Sequence, residues 1–191
     1  MGNEPRPLRA DARRNRDRLL EVARGAFAAE GVSVPLDEIA RRAGVGPGTL
    51  YRHFPTKESL LEAVVRERVR RLVDHAQALR RDEDPAAALF ALLDQVIEDA
   101  AAKADLVDTL AGAGVEIRTA LATDVTRLHA EIGHLLIRAQ DSGAVRGDIG
   151  IADLMTVLGG VLYALRHLGA GATREHVVAI LYDGLRTGAP A

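Results

Sequence analysis

The sequence predicts an all-α protein of about nine helices, and two observations carry that prediction. Apolar residues recur at intervals of three and four through most of the 191 residues, and no segment alternates as a half-buried strand does. The apolar content of 48% is mainly Ala, Leu and Val, which suits packed helices. A chain of this length can bury a sizeable core, as one domain or as a small domain joined to a larger one.

Four helices are predicted in the first 80 residues. Gly31 closes the first helix, and Gly44 lets the chain leave the second in a left-handed conformation. Pro47 lies in the first turn of the third helix, where its missing N–H costs nothing, and Pro55 ends that helix. The predicted spans are about 12–30, 36–43, 47–53 and 57–80.

Five further helices follow. Asp84 and Pro85 are a typical N-cap and first residue of a helix. The segment "GAG" at 112–114 separates a brief helix from a long one, and "DSGAVRGDIG" at 141–150 is a loop. The predicted spans are about 85–103, 105–111, 116–141, 151–168 and 173–187.

Charge is distributed unevenly along the chain. Residues 1–57 hold 11 Lys and Arg against 7 Asp and Glu, a net of +4, whereas residues 58–191 hold 14 against 20, a net of −6. The basic part indicates an end that meets a polyanion. Alternatively, arginine is simply abundant, as it is in proteins encoded by G+C-rich genomes. We predict an amino-terminal domain over 1–56 and a carboxy-terminal domain over 57–191.

The composition excludes several classes of protein. The absence of Cys removes disulfides, thiol redox sensing and cysteine-ligated zinc. The first residues lack the apolar run of a signal peptide. The longest apolar stretch, 151–171, is interrupted by Gly159, Gly160, Arg166 and His167, which predicts a buried helix and not a membrane span. We therefore expect a soluble, cytoplasmic protein with no membrane partner.

Catalytic and metal sites are not predicted. Glu131 and His134 have the spacing of a carboxylate di-metal motif, but such a site needs a second pair and two further Glu. His129 and His134 are about 140° apart around a helix, which spoils a two-His metal face. The segment "GVGPGT" at 44–49 lacks the preceding strand and the Lys-Ser/Thr ending of a phosphate loop. We expect no enzyme activity, no cofactor and no metal.

The second and third helices have the dimensions of a helix-turn-helix. Ala40 is small where the two helices cross, and Gly44 permits the turn between them. Val45 and Leu50 would fill the wedge between the helices, and Phe54 would anchor the exit. The motif predicts a short helix presented to a partner.

The remaining side chains of this segment suit DNA. Hydroxyl groups and helix N-termini bind phosphates, and Arg pairs bidentately with guanine in the major groove. Gly48 lets the backbone come close to DNA, Lys57 can reach a neighbouring phosphate, and three arginines lie at the head of the first helix. The candidate DNA contacts are Arg13, Arg14, Arg16, Gly48, Thr49, Tyr51, Arg52, His53 and Lys57.

From about Arg13 to Val65 the sequence resembles the tetracycline-repressor-like (TetR) transcriptional regulators. The resemblance rests on the element order, the glycine after the first helix, "IA..AGV", "GTLY.HF" and "K..L". Gly46 and Pro47 depart from the family, which often has Ser and then Lys or another DNA-reaching side chain there. The resemblance implies that Arg52 reads a base, that Tyr51 also braces the recognition helix, and that the phosphate contacts are Thr49, Tyr51, His53 and Lys57.

Two apolar stripes mark the last two helices. By the resemblance, these helices pair with those of a second subunit as a four-helix bundle, and small residues beside the first stripe would allow close approach. The alternative is that both helices are buried within one subunit. The candidate dimer residues are Leu154, Leu158, Val161, Leu165, Val177, Leu181 and Leu185.

The resemblance also implies a cavity for a small-molecule effector in the carboxy-terminal domain. Few aromatic residues and no Cys predict a mainly aliphatic pocket, and ordinary core packing is the alternative for each residue. His129, His134 and His167 could recognise a polar group on a ligand. The candidate pocket residues are Leu93, Ile97, Leu110, Leu128, His129, Ile132, Leu162 and Tyr163.

Taken together, these features predict a ligand-responsive repressor that binds a palindromic double-stranded DNA operator as a homodimer. A second hypothesis is a ligand-binding or protein-interaction module with a vestigial helix-turn-helix. Gly46 and Pro47 are the features that favour this second hypothesis.

Overall fold

The computed structural model describes residues 6–101, 115–169 and 171–188. Within these ranges the chain forms helices joined by turns, with an isolated antiparallel bridge between Val145 and Arg186. The predicted all-α class is confirmed, while the short helix expected near 105–111 lies outside the described residues. The described residues form eight helices, which are α1 (Arg6–Glu30), α2 (Leu36–Ala43), α3 (Pro47–His53), α4 (Lys57–Leu79), α5 (Pro85–Ala101), α6 (Val115–Asp141), α7 (Ile151–Arg166) and α8 (Arg174–Leu185).

Two of the helix ends that differ from the predicted spans have a local cause. Helix α1 begins at Arg6 and not near residue 12, because Pro7 is tolerated in a first turn and the following Leu, Arg and Ala residues favour a helix. Helix α8 ends at Leu185, because the chain beyond it pairs with the loop before α7. The N–H of Arg146 donates to the Leu185 carbonyl at 2.9 Å, and that of Thr187 donates to Ala144 at 3.2 Å.

The described residues divide into two compact units, one of 6–67 and 115–121 and the other of 68–101, 122–169 and 171–188. In the first unit α1, α2 and α3 pack against one another around one apolar core. The core includes Leu19 and Phe27 of α1, Ile39 of α2, Leu50 of α3 and Leu60 of α4.

In the second unit α7 packs against both α5 and α8. The hydroxyl of Tyr182 on α8 donates to Oδ1 of Asp94 on α5 at 2.5 Å, and the Tyr182 ring lies 4.7 Å from that of Phe90. Burial, followed by the hydrogen bond to Asp94, raises the pKa of Tyr182 well above its ordinary value. These contacts hold the last helix on the core of the unit.

The C-terminal end of α4 is held by side chains of α6. Glu131, a buried carboxylate, accepts a hydrogen bond from Nε2 of Gln77 at 2.9 Å and lies 2.7 Å from Nε of Arg80. Arg138 donates to the carbonyl oxygens of Arg80 and Asp82 just beyond the helix end. None of the helices in the described ranges combines the length and apolar character needed to cross a membrane.

Candidate nucleic-acid interface

The turn between α2 and α3 has the predicted geometry. Gly44 adopts φ 65° and ψ 33°, the left-handed conformation that favours glycine. The N–H of Val45 donates to the carbonyl of Ala40 at 3.1 Å, which closes the end of α2. Ala40 and Leu50 are fully buried, Phe54 is buried and Val45 is partly buried. The wedge expected from the sequence is confirmed.

Helix α3 begins without a side-chain cap, and backbone hydrogen bonds close its first turn. Gly46 is the N-cap in an extended conformation, and its carbonyl accepts from the N–H groups of Thr49 (2.9 Å) and Leu50 (3.2 Å). A Cβ atom added at Gly46 or Gly48 would meet nothing within 4 Å. Packing inside the protomer therefore does not require glycine at either position, and Gly48 leaves an open surface on the first turn.

The exposed side of α3 carries the predicted contact residues. Leu50 is buried, whereas Tyr51 and Arg52 are exposed and Thr49 and His53 are half-buried. The guanidinium of Arg52 has no hydrogen bond or ion pair with any side chain in the described part of the chain. Its five donors are therefore available to an external acceptor. Lys57 follows, half-buried, as the first residue of α4.

Asp37, in the first turn of α2, faces the recognition helix. Hydrogen bonding to its carboxylate raises the pKa of the Tyr51 hydroxyl above its ordinary value. This contact links α2 to α3 and supports the bracing role that the resemblance implies for Tyr51. The role of Asp37 was not predictable from the sequence, because an acidic residue in the first turn of a helix is common in any protein.

Two arginines of α2 are neutralised within the first unit. Glu38 accepts hydrogen bonds at 2.7 Å from both Arg41 and Arg42, and Arg42 also pairs with Glu30 at the end of α1. These bonds lower the pKa of Glu38 to about 2 and also lower the pKa of Glu30. The positive charge left for a partner is concentrated on α1 and α3.

The three arginines at the head of α1 are exposed but differ in their contacts. The guanidinium carbon of Arg16 lies 5.6 Å from the ring centroid of Phe54, a cation–π distance. Arg14 pairs with Asp11, and Arg13 has no partner among the described residues. The structure therefore brings Arg16 to the exit of the recognition helix, whereas the charge of Arg14 is partly neutralised.

A capping box fixes the start of α4. The N–H of Ser59 donates to Oγ1 of Thr56 at 3.1 Å, and the N–H of Thr56 donates to Oγ of Ser59 at 3.2 Å. This arrangement sets the first turn that carries Lys57. The capping box was not predicted, although the Thr-x-x-Ser spacing before an apolar run is a sequence signal for it.

The candidate dimer residues lie on α7 and α8. Val161, Leu165 and Val177 are half-buried. Beside them is an open apolar groove of about 340 Å³, with Val157 51% exposed and Ile180 70% exposed on its lining. The candidates already covered by the protomer's own packing are Leu154, Leu158, Leu181 and Leu185.

The candidate pocket residues do not share one environment. Tyr163 is 64% exposed, and its ring lies 4.6 Å from that of His167. His129 and Leu162 are half-buried, and Leu110 lies outside the described residues. Neither of two pockets in the second unit, the apolar groove and a polar pocket between α4 and α6, is lined by these residues. The fully or nearly buried candidates are Leu93, Ile97, Leu128 and Ile132.

Glu131 and His134, which have the spacing of a di-metal motif, do not form a metal site. Glu131 is buried, accepts a hydrogen bond from Gln77 and forms an ion pair with Arg80, whereas His134 is exposed. Across the described side chains, no group of three or more His, Cys, Asp or Glu residues could hold a metal ion.

Comparison with known proteins agrees with this architecture. A family model described as bacterial regulatory proteins of the tetR family matches residues 19–64, and a model for the C-terminal domain of SbtR-like transcriptional regulators matches residues 84–187. Fold and site together define a DNA-binding transcriptional regulator with a helix-turn-helix. The chain belongs to the TetR family.

Individual relatives extend the comparison. The TetR transcription regulatory protein from Mycobacterium vanbaalenii is 48% identical, with a TM-score of 0.76 over 95% of this chain and 100% of that one. An HTH-type transcriptional regulator of Staphylococcus aureus (strain USA300) is 37% identical over 76 residues, 39% of this chain and 41% of the relative. The chain thus matches about two fifths of the length of that curated relative. A regulator from Saccharomonospora viridis, solved in complex with choline, shares the fold at 22% identity and a TM-score of 0.73, over 91% of this chain and 98% of that one.

Proposed function

We propose that the chain is a ligand-responsive repressor that binds a palindromic operator as a homodimer. The observation that carries this proposal is α3 itself, a short helix with an exposed Tyr51, an open backbone at Gly48 and an Arg52 that has no partner among the described residues. Such a helix fits the major groove, where Arg reads guanine and hydroxyl groups bind phosphates. We propose no catalytic activity, cofactor or metal for the chain.

Within this proposal residues 1–56 bind DNA, and residues 57–191 bind the effector and the second subunit. The apolar groove of α7 and α8 supports dimerisation, because exposed Val157 and Ile180 would gain apolar burial from a partner helix. A two-fold dimer would present two copies of α3 to half-sites about one helical turn apart.

The effector would act by preferring one of two conformers. A coupling of roughly 1–3 kcal/mol between effector and operator is the usual scale, and equal affinity for both conformers would change nothing. The aliphatic candidates of α5 and α6 favour an apolar effector, and the choline complex of a relative supports a fold that can hold a small molecule.

The test is to select, from a pool of random DNA duplexes, those that the purified protein binds at about 0.15 M salt, where non-specific binding is weak. Enrichment of a palindrome, lost with Arg52→Ala, would support the proposal. The enriched duplex would then serve as the probe for effectors that release it. A folded dimer that enriches no sequence would overturn the proposal and favour a module with a vestigial helix-turn-helix.

A further inference from the structure

Two polar contacts join α4 to α6 in the second unit, two helical turns apart. Nε of Arg70 lies 3.7 Å from Oδ1 of Asp124, and Nε2 of Gln77 donates to Oε1 of Glu131 at 2.9 Å. Both contacts join residues 54 positions apart, so the two helices run in the same direction along this seam. Seven residues of helix rise about 10.5 Å, which is the spacing between the two contacts along the helix axes.

A polar pocket of about 250 Å³ opens in this seam. We call it the seam pocket, and it is lined by Arg70, Val73, Asp74, Asp124 and Arg127. Its volume is below the range of about 300–1,000 Å³ that is usual for drug-sized ligands, so it suits a small molecule. The two arginines and two aspartates leave the lining without net charge.

Two charged groups of the seam pocket have no partner among the described residues. By the register of the seam, Asp74 of α4 and Arg127 of α6 lie at nearly the same level, between the two polar contacts. Both are exposed, and neither forms a hydrogen bond or an ion pair with the other or with any further described side chain. Carboxylate and guanidinium groups pair readily when they can meet. The seam pocket therefore keeps two opposite charges apart and available to a ligand.

The other two charged groups of the pocket already have each other as partners. The ion pair of Arg70 and Asp124 is long, with the Arg70 side chain 60% exposed and the Asp124 side chain 19% exposed. A ligand in the seam pocket therefore has to match the charges of Asp74 and Arg127. A singly charged molecule would match one of these groups and leave the other unmatched, whereas a molecule with both charges matches both.

We propose that the seam pocket binds a small zwitterion, a molecule with one carboxylate, one ammonium group and no net charge. The ligand carboxylate accepts hydrogen bonds from Arg127, whose planar guanidinium suits bidentate pairing, and the ammonium group donates to the Asp74 carboxylate. Buried Val73 supplies an apolar contact for the methylene groups between them. This site goes beyond the proposed function, because it shares no residue with the candidate effector pocket or with the candidate DNA contacts.

The experiment titrates the full chain, without DNA, with amino acids whose two charged groups are increasingly far apart, namely glycine, β-alanine, γ-aminobutyrate and ε-aminocaproate. Butylamine and butyrate, which carry one charge each, are the comparison ligands. Ligand-observed NMR at low ionic strength measures the dissociation constants. The pocket variants are Asp74→Asn and Arg127→Gln. The matched controls are Asp141→Asn and Arg81→Gln, at exposed residues of α6 and of the turn after α4 outside the pocket lining. Circular dichroism checks that each variant is folded.

We expect one of the zwitterions to bind at least about tenfold more tightly than butylamine and butyrate, because it matches both charged groups. Each pocket variant should weaken that binding about tenfold, since each removes one charge-assisted hydrogen-bond partner, and the two controls should bind as the parent does. Unchanged binding in the pocket variants, equal losses in the controls, or no preference for any zwitterion would overturn the inference. Because no DNA is present, none of these outcomes bears on operator recognition.

Discussion

The Nη1 atom of Arg138 on α6 lies 2.6 Å from the carbonyl oxygen of Arg80, just beyond the last residue of α4. Its Nη2 atom lies 2.8 Å from the carbonyl oxygen of Asp82. The last carbonyls of a helix have no partner within the helix, so Arg138 satisfies acceptors that would otherwise require water. The end of α4 is thus capped by a distant part of the chain.

We expect Arg138→Met to lower the free energy of unfolding by about 1–3 kcal/mol, because two charge-assisted hydrogen bonds are lost while the apolar stem is kept. Urea unfolding followed by circular dichroism measures the change. Arg127→Met, an exposed arginine on the same helix, is the matched control and should be near neutral. Similar losses in the two variants would contradict the capping role.

The two glycines that flank Val45 should respond differently to Ala. Gly44→Ala should destabilise the first unit by about 1–2 kcal/mol, because φ 65° is unfavourable for a residue with a Cβ atom. Gly46→Ala should change stability little, because Gly46 is extended and its surroundings are open. Thermal unfolding of the two variants measures the difference. A larger loss of stability for Gly46→Ala than for Gly44→Ala would contradict the assignment of the left-handed turn to Gly44.

We expect low pH to lower the stability of the first unit, because the ion pairs of Glu38 require its carboxylate to be ionised. Its folded-state pKa of about 2 is below the ordinary value of 4.5, so the carboxylate stabilises the fold fully above about 4.5. That contribution is lost as pH falls from about 4.5 through 2, because the unfolded chain takes up the proton first. The melting temperature of Glu38→Gln should therefore fall less than that of the parent between pH 6 and 3.5. Identical pH profiles would rule out this linkage.

We expect Arg52 to recognise a base and Lys57 to contribute affinity that does not depend on the DNA sequence. Arg52→Ala is expected to cost about 1–3 kcal/mol and to relax preference at one base position of the enriched site. Lys57→Ala should weaken all sequences alike and reduce the salt slope by about 2, because one phosphate contact is lost in each subunit of the dimer. Repeating the selection with each variant measures both effects. Unchanged specificity in Arg52→Ala would remove its base-reading role.

The oligomeric state should depend on an exposed residue of the apolar groove. Ile180→Glu is expected to sediment as a folded monomer, because Ile180 is 70% exposed in the protomer. Leu158→Glu should instead lose the fold, because a charge would enter the buried core. Ile137→Glu, at an exposed apolar residue of α6 outside the groove lining, is the control and should sediment as the parent does. A dimeric Ile180→Glu protein would contradict the proposed interface.

The local features of the chain were predictable because they depend on short-range chemistry. The turn at Gly44, the burial of Leu50 and the start of α3 at Pro47 each follow from the conformational limits of one residue and the period of its neighbours. The exposed residues of α3 were predictable for the same reason, since a helix of seven residues with one buried Leu leaves few alternatives.

The long-range features were not predictable. Apolar spacing on α7 indicates that Leu154 and Leu158 are covered, but it cannot distinguish a neighbouring helix of the same chain from one of a partner. The pairs that Arg42 forms with Glu30 and Gln77 forms with Glu131 join residues 12 and 54 positions apart. No periodicity encodes such pairs.

Because the chain has few aromatic residues, single positions can be followed by fluorescence. The sequence contains no Trp and three Tyr, of which one is bonded to the Asp94 carboxylate, one lies beside the ring of His167, and Tyr51 is exposed on α3. A single Trp introduced at Ile180 would therefore emit alone at the apolar groove, and a change in its spectrum on dilution would follow subunit separation. Tyr51 is likewise the single Tyr on the recognition helix, so a Tyr51→Phe variant identifies its contribution to the tyrosine emission of the protein.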